Sequence, residues 1–225
     1  MGVRPTVHAP CRIAARPVDR EAFVISACML KTHNTVIASL SIKNMVLGAP
    51  LHQATGESPR WSDKRKYHVG LRQTHYNMMV TAQRLNWGAS LIDGYEGMDG
   101  NGPNSGSAVA SRIALASTDY VAADRVAAET MGIDPEWLGC VKYCGDLGLG
   151  QFDPSKIRRH RREGRRRQEI LPHAPRYRTR AQGAGSAYRA AVQSRLGAGA
   201  ELPARGIVGR TPIGADLSQA RVKTV

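Results

Sequence analysis

The sequence is poor in aromatic side chains: two Phe, three Trp and seven Tyr in 225 residues. Residues 158–225 hold only two of these, Tyr177 and Tyr188; unpaired bases are usually held by stacking on such rings, which counts against specific single-strand binding by that segment. Cysteine is scarce too. Cys11, Cys28, Cys140 and Cys144 have spacings that fit no disulfide framework. Cys140 and Cys144 would share one helical face, but two thiols do not complete a zinc or iron–sulfur site. They read as small buried hydrophobes. No apolar run reaches the ~18 residues of a membrane-spanning helix. The N-terminal arginines are not followed by the apolar segment of a secretory signal, and a cytoplasmic location is expected. Neither a P-loop nor an EF-hand spacing occurs.

Positive charge, by contrast, is abundant, at a formal +14. It is unevenly placed. Residues 158–225 hold 16 of the 32 Lys and Arg but only 4 of the 18 Asp and Glu. Residues 1–157 are therefore electrostatically ordinary, and the excess belongs to the tail. This divides the chain into an irregular lead-in (1–20), an α/β region (21–157) and a tail rich in Arg, Ala and Gly (158–225), expected to be largely disordered.

Within the middle region, F-V-I-S-A at 23–27 reads as a buried strand that stops at the polar Lys31-Thr32-His33-Asn34. Residues 36–47 show helical spacing, ended by Gly48 and Pro50. Residues 51–63 read as a loop and 67–85 as a helix. Residues 89–93 form a second strand, and 94–106, with five glycines and Pro103, a long loop. A third strand is expected at 112–117. A helix at 119–131 packs through its alanines and is capped by Ser117, Thr118 or Asp119. Asp134-Pro135 opens a last helix. Strands alternating with helices predict an α/β fold with a mixed or parallel sheet and flanking helices. With three strands, that sheet would be incomplete.

Two constellations carry candidate chemistry. Lys31 and His33 stand at a strand end, where α/β ligand sites tend to lie, and Lys43 with Asn44 could return to the same crevice. Two cations and an imidazole suit an anionic ligand or proton transfer, which makes Lys31, His33 and Lys43 catalytic candidates. The alternative is that the lysines are solvated and His33 caps a turn. The second set is Asp93, Asp99, Asn101 and Gly102 among glycines whose N–H groups could approach an anion. Asp93, Glu96 and Asp99 could instead hold a hard cation. A flexible loop is the plainer alternative. Asp119 and Asp124 read as a helix cap and a surface or packing carboxylate.

The tail allows two readings. It could be a basic arm that binds nucleic acid through phosphates, without specificity. Or it could be translated out of frame. One permitted coding of residues 158–175, read one base later, gives D-V-I-G-E-K-V-A-D-V-K-K-S-Y-R-M-H-P. That text starts like a strand and continues as ordinary soluble protein, so the frameshift is the expectation.

The stretches F-V-I-S-A-C-M-L-K-T-H-N, S-I-K-N-M-V-L-G, L-I-D-G-Y-E-G-M-D-G-N-G-P, A-S-T-D-Y-V-A-A-D and E-T-M-G-I-D-P, in this order across 23–157, resemble the family called domain of unknown function 362. The shifted text also looks like that family's continuation. The resemblance implies a longer region before the first strand, hence a chain truncated at its front. It also implies possible iron–sulfur partner modules of the ferredoxin type and an unknown small molecule or cofactor as ligand. This chain has no clustered C-x-x-C motif of its own. The ten-residue separation of His33 and Lys43 is similar to that of a His–Lys pair in nickel-pincer lactate racemase. This hints at an ancestral metal or organic cofactor.

Overall fold

A computed structural model describes residues 10–52, 62–161 and 220–224. The strands are β1 (Ile25–His33), β2 (Ile37–Ser39), β3 (Ala89–Asn101), β4 (Ser105–Val109), β5 (Ile113–Ser117), β6 (Ile157–Arg161) and β7 (Ala220–Thr224). The helices are α1 (Ser41–Gly48), α2 (Leu71–Ala82), α3 (Tyr120–Thr130) and α4 (Gly139–Asp146). All seven strands join one mixed sheet of order β2-β1-β3-β5-β7-β6, with β4 paired to β3 beside this path. β1 runs parallel to β3, and β6 parallel to β7; the other pairs are antiparallel. The α/β class and mixed sheet are as the sequence indicates, but the sheet is larger.

Three local readings are corrected. First, β1 does not stop before Lys31; it runs through His33, because β2 folds back on its last three residues and pairs Lys31 with Ser39. Second, residues 36–40 are not helical. Val36 is buried in the turn and β2 follows, starting at Ile37 with φ 71°, a conformation rare for a β-branched residue. Helix begins only at Ser41, where the Asp124 carboxylate receives the Ser41 and Ile42 N–H groups at 2.7 and 2.8 Å. Third, residues 94–106 are not a long loop. β3 continues to Asn101 and turns directly into β4, pairing Gly97 with Val109 and Gly100 with Gly106. The glycines permit close contact: a Cβ on Gly106 would stand 2.3 Å from the Asp99 carbonyl oxygen.

α1 and α3 lie on one face of β1, β3 and β5, and α2 and α4 pack over them. Ser26 and Leu30 of β1, Ile92 of β3 and Leu115 of β5 point into this layer and are buried. Ala122, Ala123, Ala127 and Ala128 are fully buried, so α3 packs close through its alanines. Asp119 caps α3, accepting from Val121 and Ala122 N–H at 2.9 Å each. Asp124 is no surface carboxylate; it is 1% exposed. Around it, Ser41 and Ser90 share a hydrogen bond at 2.6 Å and Ser26 Oγ donates to the Ser41 carbonyl at 3.1 Å. A polar seam thus pins α1 between the sheet and α3, and it is fully satisfied, as buried polar groups must be.

Among the described residues, no element covers the opposite face. Ile25, Ala27 and Met29 of β1 stand in register with Ala89, Leu91 and Asp93 of β3, and Ile25, Met29, Leu91 and Tyr95 are each at least 44% exposed.

The described part of the lead-in is tied down. Leu51 N–H donates to the Arg12 carbonyl at 3.0 Å, and Arg12 pairs with the buried Asp63 at 3.0 Å. Most of the basic tail lies outside the described residues. Its two described ends are the strands β6 and β7, and Arg159 of β6 pairs with Glu129 of α3.

Candidate functional site

The site forms at the end of β1. The β1–β3 register shifts between Met29 and Lys31, and such a bulge re-aims the side chains after it. Lys31 Nζ donates to the Pro103 carbonyl at 3.3 Å, and Thr32 Oγ1 to the Gly100 carbonyl at 3.0 Å. The tip of the β3–β4 hairpin is thereby folded over the strand end. Gly102 makes that approach possible: a Cβ there would lie 1.9 Å from the Thr32 carbonyl oxygen.

His33 is buried, and its Nδ1 accepts from the Thr35 and Val36 N–H groups at 3.0 and 3.3 Å. It does cap a turn. An accepting Nδ1 carries no proton, so the neutral ring holds its proton on Nε2. Burial, reinforced by Lys43, His68, Lys31 and Lys64, pushes the His33 pKa down to about 3. This imidazole is neutral at physiological pH, so it presents an N–H donor at Nε2 and is not poised to titrate there.

Lys43 sits in the first turn of α1, where the helix carries partial positive charge. Burial first, then Lys64 and Lys31, lower its pKa to about 8, with the buried Cys140 thiol opposing them. Among the described residues no carboxylate pairs with Lys31, Lys43 or Lys64. The nearby Asp63 is held by Arg12 and Lys66, and Asp124 by backbone N–H groups. Directly across the ladder from Lys31 stands Ser39, on the same face by the geometry of antiparallel pairs. Its hydroxyl is buried and has no partner among the described residues.

The other expected residues divide. Gly102 joins the site through its backbone. Asn44 is spent on structure, donating from Nδ2 to Ser26 Oγ and the Ala27 carbonyl, each at 3.1 Å. Asp93 lies on the uncovered face, its Oδ1 accepting from Tyr95 N–H at 2.9 Å. Asp99 Oδ1 accepts from Gly100 N–H at 2.7 Å. Its pKa is raised by burial against that bond. Asn101 is exposed at the hairpin tip. Lys64, His68 and Ser39 were not singled out from the sequence. Lys64 lies within a short 3₁₀ turn at Asp63–Tyr67 and His68 follows its end; the K-R-K run at 64–66 was their only signal.

All four cysteines are free. Burial raises the Cys140 thiol to about 12 and Cys144 well above its usual range, so both are inert core groups. Among the described residues no group of three or more His, Cys, Asp or Glu could hold a metal ion, and no helix is long and apolar enough to cross a membrane.

Fold and site together define an α/β domain with lysines gathered near one strand end, none of them paired with a carboxylate among the described residues. The sequence profile described as domain of unknown function (DUF362) matches residues 7–129, and the chain belongs to that family. No curated protein and no solved structure matches it.

Proposed function

We propose that the domain binds a small oxyanion, carboxylate or phosphate, between Lys31, Lys43 and Lys64. The carrying observation is a set of cations that pairs with no carboxylate among the described residues, near a buried hydroxyl that has no partner among them either. Buried charges are ordinarily paired and buried polar atoms bonded; one bound anion answers both demands. The His33 Nε2–H and Ser39 O–H would then orient the ligand while the lysines neutralise it. Four free cysteines fit a reducing, cytoplasmic compartment. Redox chemistry would need a separate ferredoxin-type partner, which the family resemblance supports and the described residues do not supply. Calorimetric titration of the full chain with oxalate and with inorganic phosphate tests the reading. Lys43→Met and Ser39→Ala should each weaken binding, the former about tenfold or more. Lys142→Met, at a surface pair with Asp146, should not. Equal affinity in all variants rejects the site.

A second reading concerns the tail: the family's continuation is encoded one base later after Ile157. What favours it is the pattern of β6. Arg158, Arg159 and His160 are consecutive and all exposed, whereas a strand that buries one face alternates polar with apolar residues. The shifted text supplies Val and Ile there. Peptides of residues 158–225 recovered from the native source would reject this reading. They would leave the alternative of a nucleic-acid-binding arm, to be tested by salt-dependent DNA binding.

A further inference from the structure

We propose that the sheet face opposite the helices is the interface of a two-fold dimer of this chain, in which Asp93 of each copy meets Arg112 of the other. The strand register lays the face out. Leu91 of β3 stands between Ala27 of β1 and Ala116 of β5, and Asp93 between Met29 and Ala114. Ile25, Met29, Leu91 and Tyr95 project from it and are exposed, while the alanines leave hollows beside them. A second sheet laid on such a face fits its projecting side chains into those hollows, as stacked sheets do at a spacing of about 10 Å.

Charge selects the occupant. The face carries one acid and one base, in neighbouring rows. Asp93 is exposed, and its Oδ1 accepts from the Tyr95 N–H at 2.9 Å. Arg112 is exposed too, with its guanidinium 4.1 Å from the centre of the Tyr95 ring and its N–H donating to the Tyr95 carbonyl at 3.0 Å. It takes up this place with φ 56°, a conformation few residues other than glycine adopt. Among the described residues neither Asp93 nor Arg112 makes an ion pair. A two-fold interface must complement itself, and a face with one charge of each sign does so: two copies form the same pair twice. A partner surface that is wholly apolar, or charged with one sign, would bury at least one of the two unpaired, which is costly. A lipid surface meets the same objection, since Asp93 lies amid the apolar rows. The formal +14 opposes association only over short range at physiological salt, where charges are screened beyond about 8 Å.

The test is sedimentation equilibrium of the full chain at physiological salt and about 0.1 mM, where an interface of micromolar affinity is saturated. The expected mass is twice that of one chain. Asp93→Arg and Arg112→Asp should each sediment as monomers, their self-association weakened about tenfold or more, because each sets like charges opposite one another twice. Mixed in equal amounts, the two variants should form a heterodimer, since each supplies the charge that the other lacks. Should either misfold, Asp93→Lys with Arg112→Glu makes the same comparison. A monomeric unsubstituted chain overturns the proposal, whether the face is then occupied by residues 162–219 or binds anionic vesicles. A dimer that both variants keep overturns it as well, and so does a mixture of folded variants that stays monomeric.

Discussion

Asp124 of α3 receives the Ser41 N–H of α1 at 2.7 Å, so the helix that carries Lys43 is started by a carboxylate from a different helix. Removing it leaves two buried N–H groups without acceptors. Asp124→Ala should therefore cost about 2–4 kcal/mol, read as a lower urea midpoint at neutral pH. Because the lost cap also frees the first turn of α1, oxyanion binding should fall with it. A variant as stable as the parent would show that α1 needs no help from α3.

Acid should loosen the fold through two histidines. Burial holds His75 down to about 4, and burial with the neighbouring Lys43, His68, Lys31 and Lys64 holds His33 at about 3, both below the usual 6.5. The unfolded chain binds protons at these positions that the folded chain refuses. Their contribution to stability is complete above pH 6.5 and is lost as pH falls toward 3–4. Urea midpoints should drop between pH 7 and pH 5. His33→Asn, which offers an oxygen in place of Nδ1, should make that drop shallower. Asp124, whose pKa burial raises to about 7, acts in the opposite sense over the same range, so the comparison with the variant decides: a His33→Asn profile parallel to the parent's would mean that the His33 ring is not held neutral.

Gly102 has no room for a methyl group against the Thr32 carbonyl. Gly102→Ala should push the hairpin tip off β1, breaking the Lys31–Pro103 contact, and weaken oxalate binding severalfold. Hydrogen exchange at Asn34, whose N–H donates to the Gly102 carbonyl at 3.0 Å, should accelerate. Unaltered exchange there would place the hairpin's anchorage elsewhere.

Lys43 should acylate early. With a neutral acylating reagent its labelling should rise through a midpoint near pH 8, well below that of an ordinary lysine at about 10.4. A Lys43 that titrates with the surface lysines would remove the discharged amine from the site.

The parts of the fold that could be read in the sequence are those where one local signal decides. Asp119 before an alanine-rich stretch announces α3, and the structure uses it as the cap. The first five residues of β3 alternate as a strand should. Where the reading failed, the deciding partner was distant in the chain. Ser41 starts a helix because of Asp124, and nothing near residues 36–40 reveals it. The glycines between 94 and 106 look like a loop because their opposite strand cannot be seen from composition. The site shows the same division. Lys31, His33 and Lys43 stand out in the sequence because strand ends attract ligands. Lys64 and His68 arrive from a segment that reads as a loop, and Ser39 from one that reads as a helix. For His33 the plainer alternative is what the hydrogen bonds show: it caps a turn.

The uncovered face has a consequence for handling the protein. A slab dressed with helices in front and showing Ile25, Met29, Leu91 and Tyr95 behind is an amphiphile. It gains free energy by turning its back to any oily surface, whether dye, resin or another molecule. Unless another segment covers them, those four side chains will draw the protein to such surfaces despite its large net charge.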